Sequence, residues 1–159
     1  MVLLLHPNFF MKYLITYLPY VACRSLSYTW ELPQNLLGWM ISLIVGQRIM
    51  GRECIQGRQF IEVRDFGLSL GYYIFWSRIP VDASTPDNRA HEYGHALQSR
   101  YLGPFYLLLV GLPSLLRAVY ARYYFKTRHR VWKPYHHGYP ERWANRLGER
   151  YGARLNKTT

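Results

Sequence analysis

Apolar and polar positions alternate along this chain in blocks whose period changes from one block to the next. Residues 1–22, MVLLLHPNFFMKYLITYLPYVA, are apolar and aromatic, interrupted by His6-Pro7-Asn8, Lys12 and Pro19. A signal peptide carries its charge before the apolar run and a small-residue cleavage site after it. Here the charge lies in the middle, so the expectation is an uncleaved segment that lies in a membrane interface or spans poorly. A polar, turn-like stretch from Arg24 to Pro33 follows, and Pro33 can open a helix carrying Asn35 to Gly46. Its apolar part is roughly a dozen residues, short of the ~20 that cross a bilayer, so a buried or re-entrant helix, or a plain core helix, is expected.

From Cys54 the period shortens. Arg58–Asp65 alternates in part, Leu68–Trp76 is rich in aromatic and aliphatic strand formers, and Asp65-Phe66-Gly67 supplies a turn between them. The pattern predicts an antiparallel hairpin within residues 54–80. Ser84-Thr85-Pro86-Asp87-Asn88 then offers a hydroxyl cap, a proline at the first helical position and an acid in the first turn, and Gly103-Pro104 offers a stop. A helix is predicted over about 86–101. Ala90, Tyr93, Gly94, Ala96, Leu97 and Tyr101 give it an apolar or small side, and Gly94 permits close approach of a neighbouring backbone.

Residues 104–116, PFYLLLVGLPSLL, hold no charge. That length is more often buried, interfacial or re-entrant than spanning, with Pro113 as a kink, although continuation through Tyr120 could cross with a tilt. Arg117, Arg122, Lys126, Arg128, Arg130 and Lys133 follow, interleaved with Tyr120, Tyr123, Tyr124, Phe125 and Trp132. A second helix is predicted from about Pro140, and the tail from Tyr151 to Thr159 is expected to fray.

Composition narrows the partners. The 159 residues make one domain, carry a formal charge of +11, and are 17% aromatic with 15 tyrosines and 5 tryptophans. Tyrosine and tryptophan favour membrane interfaces, and the charge asks for an anionic partner. The basic residues flank apolar runs and no helix-turn-helix, RNA-binding strand signature or paired-cysteine finger is present. Anionic lipid is therefore expected and nucleic acid disfavoured, with the basic tract facing the cytoplasm. A merely solvated basic face is the plainer alternative. Cys23 and Cys54 have no C-x-x-C spacing and demand no disulfide.

The candidate chemistry is His91-Glu92-Tyr93-Gly94-His95, an H-E-x-x-H string on the predicted helix. Positions i and i+4 share a helix face, so both imidazoles can reach one zinc ion, and Glu92 can face a metal-bound water. A third ligand is required. Downstream of the motif the only acids are Glu141 and Glu149. Glu141 and Asn145 are again i and i+4, so one can bind metal while the other bonds a ligand imidazole, with Glu149 as fallback. Tyr135, His136, His137 and Tyr139, just upstream, are candidates to polarise a substrate carbonyl or its oxyanion, and either histidine could serve as third ligand instead.

H-E-x-x-H followed by E-x-x-x-D on a later helix resembles the gluzincin metallopeptidases, such as thermolysin and the membrane-bound CAAX prenyl proteases. The resemblance implies His91, His95 and Glu141 as zinc ligands, Glu92 as general base, and Asn145 where the family has an aspartate. That position departs from the pattern, since an amide accepts from an imidazole but brings no charge. HEYGHALQSRYLGPFYLLLVGLPSLL and ERWANRLG are also similar to a group of small bacterial proteins regarded as membrane-associated metalloproteases, over about residues 85–148. That likeness implies a bacterial inner-membrane location.

The combined expectation is an α+β, mostly helical, zincin-like single domain over 1–159. It has apolar N-terminal helices in 1–50, a β-hairpin in 54–80 ahead of the motif helix, and metal-site helices with an intervening apolar membrane-associated segment in 85–150. In zincins an edge strand beside the motif helix binds extended peptide; a hairpin that only covers the core is the alternative. The functional expectation is a zinc metalloendopeptidase acting on a peptide or protein substrate at the membrane surface. The alternative is a non-catalytic accessory protein with a structural or vestigial metal site. Asp87, Asn88, Arg89, Gln98, Ser99 and Arg100 make the motif helix too polar for a mid-bilayer protease.

Overall fold

A computed structural model describes residues 28–64, 66–78, 88–152 and 155. The apolar stretch 1–22, Cys23 and the capping residues Ser84–Asp87 lie outside them. The fold is α+β, with helices on a four-stranded mixed sheet.

Helix α1 (Leu32–Ile44) opens at Pro33 as expected but packs the other way round. Its buried positions are Gln34, Asn35, Gly38 and Ser42, while Leu36, Leu43 and Ile44 face outward. The core-helix and buried-helix expectations for this segment are thus overturned. The physical reason is that each buried polar side chain of the helix is hydrogen-bonded, with only the Gln34 Oε1 left without a partner among the described residues. Gln34 donates to the Ser99 hydroxyl at 3.0 Å and to the Gly103 carbonyl at 2.8 Å. Asn35 accepts from the Tyr72 amide at 2.6 Å and donates to the Tyr28 carbonyl at 3.1 Å, and Ser42 donates to Trp39 O. A hydrogen-bonded polar stripe can be buried where an unpaired one cannot.

Strands β1 (Ile49–Ile55) and β2 (Arg58–Val63) form an antiparallel hairpin across Gln56-Gly57, both at positive φ, the tight turn that matches strand twist. Strands β3 (Leu68–Leu70) and β4 (Tyr73–Trp76) form a second hairpin across Gly71-Tyr72. The sheet order is β1-β2-β4-β3, and β4 runs parallel to β2. The predicted single hairpin is therefore corrected on two counts. Residues 68–76 are two strands rather than one, and the one that pairs with 58–63, Tyr73–Trp76, runs parallel to it. Both faces of β2 and β4 are covered, so Phe60 and Ile61, and Ile74 and Phe75, are all buried, and the run reads as continuously apolar instead of alternating. Only Gly71, at φ 59°, marks the break.

Helix α2 (Asn88–Leu102) lies on one sheet face, where Tyr93 and Ala96 meet Ile55, Phe60 and Ile74. Leu155 joins this cluster at 3% exposure, and residues 153–154 and 156–159 of the tail lie outside the described residues. Gly103, at φ 54°, ends α2 as expected. A 3-10 turn (Gly103–Phe105) and a π-helical turn (Leu107–Gly111) lead into helix α3 (Leu112–Arg128). Pro113 sits in the first turn of α3, where its missing N–H costs little, so the irregularity falls just before it. No residue of α3 is fully buried. Among the described residues, no helix is long and apolar enough to cross a membrane.

Helix α4 (Glu141–Gly152) packs directly on α2. The approach depends on two glycines. A β-carbon on Gly94 would lie 2.0 Å from the Ala144 carbonyl oxygen, and one on Gly148 would lie 2.4 Å from that of Ala90. Neither backbone could come so close past a side chain.

Candidate metal centre

The close α2–α4 pair fixes where the motif side chains can go. His91 and His95 project from one face of α2 with ring centroids 4.7 Å apart and planes at 88°. Glu141, in the first turn of α4, is fully buried opposite them. Its Oε2 lies 3.1 Å from His91 Nε2 and 3.2 Å from His95 Nε2. All three ligand atoms fall within 4.8 Å of one another. Ligands about 2.0–2.2 Å from a tetrahedral zinc stand ~3.3–3.6 Å apart, so the two measured separations are close to what such an ion asks for.

The outer atoms of each group are held from behind. His91 Nδ1 meets Asn145 Oδ1 at 2.6 Å, and His95 Nδ1 meets Gln98 Oε1 at 2.7 Å. Gln98 in turn donates its Nε2 to the Pro140 carbonyl at 3.1 Å, which fixes which end of the amide faces His95. Nδ1 of His95 must therefore carry a hydrogen, directing Nε2 at the carboxylate. Ser114, from α3, donates to Glu141 Oε1 at 2.6 Å and leaves Oε2 for the shared point. This is the outer support a metal-ligating His-His-carboxylate set needs, and the donor set suits zinc.

Glu141 is ionised. Burial alone would push its carboxyl up, but hydrogen bonds from His91 and His95, with the charge of both, hold it well below the usual carboxylate range. Glu92 goes the other way. Burial raises its carboxyl to about 8, the Glu141 charge adds to the rise, and His91 opposes it. The loop between β2 and β3 presses on this acid, since a β-carbon on Gly67 would lie 2.2 Å from Glu92 Oε1. Asn88, at the start of α2, accepts from the Ser77 amide at 2.9 Å and ties the helix to the end of β4.

Two tyrosines sense both carboxylates. Tyr106 is buried and donates to the Ser69 carbonyl at 2.9 Å, so it bonds main chain of β3, one of the two edge strands. Tyr135 has its hydroxyl ionisation pushed up by burial and by the charges of Glu141 and Glu92, with Arg117 opposing. Arg117 also donates to the carbonyls of Pro134 and Tyr135 and lies over the Trp132 ring. Arg117 is therefore a clamp on the 133–137 turn.

The other candidates stand further off. His137 is exposed, the Tyr139 hydroxyl is turned to the Leu109 carbonyl at 2.7 Å, and Glu149 is exposed, leaving Glu141 as the acid that meets the histidines. The side chain of His136 lies outside the described residues. Gln98 was missed in the sequence although its i+3 spacing from His95 was a usable signal. Nothing near Ser114 in the sequence points to Glu141, because the two meet only through a tertiary hydrogen bond.

The chain matches no protein-family model, no curated protein and no solved structure in the comparisons made with each.

Proposed function

We propose that the protein is a zinc-dependent metallopeptidase of gluzincin type, with His91, His95 and Glu141 as the metal ligands. The observation that carries this reading is the convergence of two imidazole Nε2 atoms and one carboxylate oxygen, each supported from behind, next to a buried carboxyl of raised pKa. When bound, zinc supplies Lewis acidity, polarising a carbonyl and bringing the pKa of a water to near ~7.

The chain's own residues account for the proton traffic. Glu92 accepts a proton from the water whose oxygen attacks the peptide carbonyl carbon, and delivers it to the nitrogen as the C–N bond breaks. A raised carboxyl pKa suits both halves of that exchange, and a cation held by the ligands favours the carboxylate form that starts it. Tyr135, kept neutral, is suited to donate a hydrogen bond to the oxyanion as it develops.

One observation favours a second reading, a non-catalytic accessory protein with a structural metal. Asn145 accepts from His91 where gluzincins use a charged aspartate, which gives a less basic ligand. Metal analysis of wild type beside Glu141→Gln and Glu92→Gln, each paired with turnover of a peptide library, separates the two. The peptidase reading expects zinc lost from Glu141→Gln, and zinc kept but turnover lost in Glu92→Gln. Full zinc on Glu141→Gln would overturn the ligand assignment. Stoichiometric zinc on a wild type that cleaves no library member would favour the structural role.

A further inference from the structure

We infer that the outward apolar faces of α1 and of residues 105–119 together form a surface that seats in an anionic lipid bilayer. Scattered exposed leucines are ordinary on any protein. The arrangement on α1 is not, because the helix turns its polar stripe inward and its apolar stripe outward, the reverse of a helix on a water-soluble domain. Leu36, Leu43 and Ile44 are 53%, 63% and 80% exposed. Leu108, Leu115 and Leu116 repeat the pattern at 64%, 60% and 60%. Most of the exposed large hydrophobic side chains among the described residues lie on these two segments. They also adjoin, since Gln34 bonds the Gly103 carbonyl and Trp30 Nε1 bonds the Arg100 carbonyl at 3.1 Å, where the second segment leaves α2.

Length and charge identify the occupant. The 13 residues of α1 span ~20 Å at 1.5 Å per residue, short of the ~30 Å hydrocarbon core, so the helix suits the interface rather than a crossing. Beyond Val119, α3 turns from leucine to exposed Arg122, Lys126 and Arg128 with Tyr120 and Tyr123, a basic and aromatic border of the kind that meets anionic headgroups. A second copy fits less well, because a two-fold pairing would bring two such borders together in a chain of charge +11. Ser114 extends inward to Glu141 from this same helix. The metal centre consequently sits close beneath the lipid-facing surface. The surface itself needs no metal and is independent of the peptidase reading.

The test is flotation of the full-length protein with vesicles of phosphatidylcholine, alone or mixed with phosphatidylglycerol, together with quenching of Trp39 fluorescence by brominated lipid. Trp39 is assigned by its Trp39→Phe loss. Wild type is expected to float with the mixed vesicles, more weakly in high salt, with Trp39 quenched. Leu43→Glu/Leu116→Glu is expected to cut partitioning at least ~10-fold, since each exposed side chain exchanges several buried CH₂ groups for a charge. Glu141→Gln is expected to float like wild type, which keeps this result separate from any failure of the metal site. Wild type left at the bottom of the gradient overturns the inference. So does an unquenched Trp39 with a dimer that the double variant dissociates, which would assign the face to a second copy. A monomer whose Trp39 is shielded from aqueous acrylamide without lipid would overturn it too, assigning the cover to the chain's own residues 1–27.

Discussion

Around the α2–α4 pair, histidines and carboxylates are buried; along α1 and α3, leucines and isoleucines are exposed. Both regions depart from the usual sorting of side chains, in opposite senses and for different reasons. The buried region is closed: His91 on Asn145, His95 on Gln98, and Glu141 on Ser114 leave its outer atoms partnered and aim the inner ones at a single point. The exposed region is open, with Gln34, Asn35 and Ser42 hydrogen-bonded on the protein side. The lesson is that burial of a polar group depends on its partners, whereas exposure of an apolar stripe depends on what lies outside the protein.

Substitutions on the two sides should therefore behave differently. The largest effect is expected from Glu92→Gln, which should lower peptide turnover by about 10²–10⁴-fold with zinc content unchanged, as read by turnover assay and elemental analysis. Next comes the outer support. Gln98→Ala should weaken zinc binding by roughly 10–100-fold in competition with a chelator, and Asn145→Asp should tighten it by restoring a charged partner for His91.

A matched pair on α1 sharpens the contrast further. Gln34→Leu, which removes donors to Ser99 and Gly103 from a buried position, should destabilise by about 1–3 kcal/mol in urea unfolding. Leu43→Gln, one face away, should stay within about 0.5 kcal/mol in lipid-free buffer. Equal losses from the pair would mean that the exposed face is covered within the protein.

The subtlest effect is on pH. In metal-free protein the Glu92 carboxyl titrates near 8 instead of its ordinary 4.5, so the fold holds that proton more tightly than the unfolded chain does. Its contribution to stability is complete below the unfolded value and is lost as pH rises through the folded one. Glu92→Gln should gain on wild type between pH 4.5 and 8 in chelator and then hold level. Glu141 has the opposite sign, stabilising above its unfolded pKa and losing that contribution in acid, so both proteins should weaken together at low pH.

Much of the site was legible in the sequence because its signals are local. Helical spacing places His91 and His95 on one face, the acid-poor composition leaves few choices for a third ligand, and i+4 spacing couples Glu141 to Asn145. Gly94 advertised a close backbone approach, and Pro33 and Gly103 marked helix ends that the structure keeps.

What the chain alone determined, then, was each short-range feature that 3.6-residue geometry or a special backbone residue imposes. Tertiary structure alone decided the rest: that β4 slots between β2 and β3, that Ser114 reaches Glu141, and that α1 buries its glutamine and asparagine rather than its leucines. Those outcomes depend on which surfaces meet across long separations, and a hydrophobic period shows that a helix has two faces without showing which one the protein keeps.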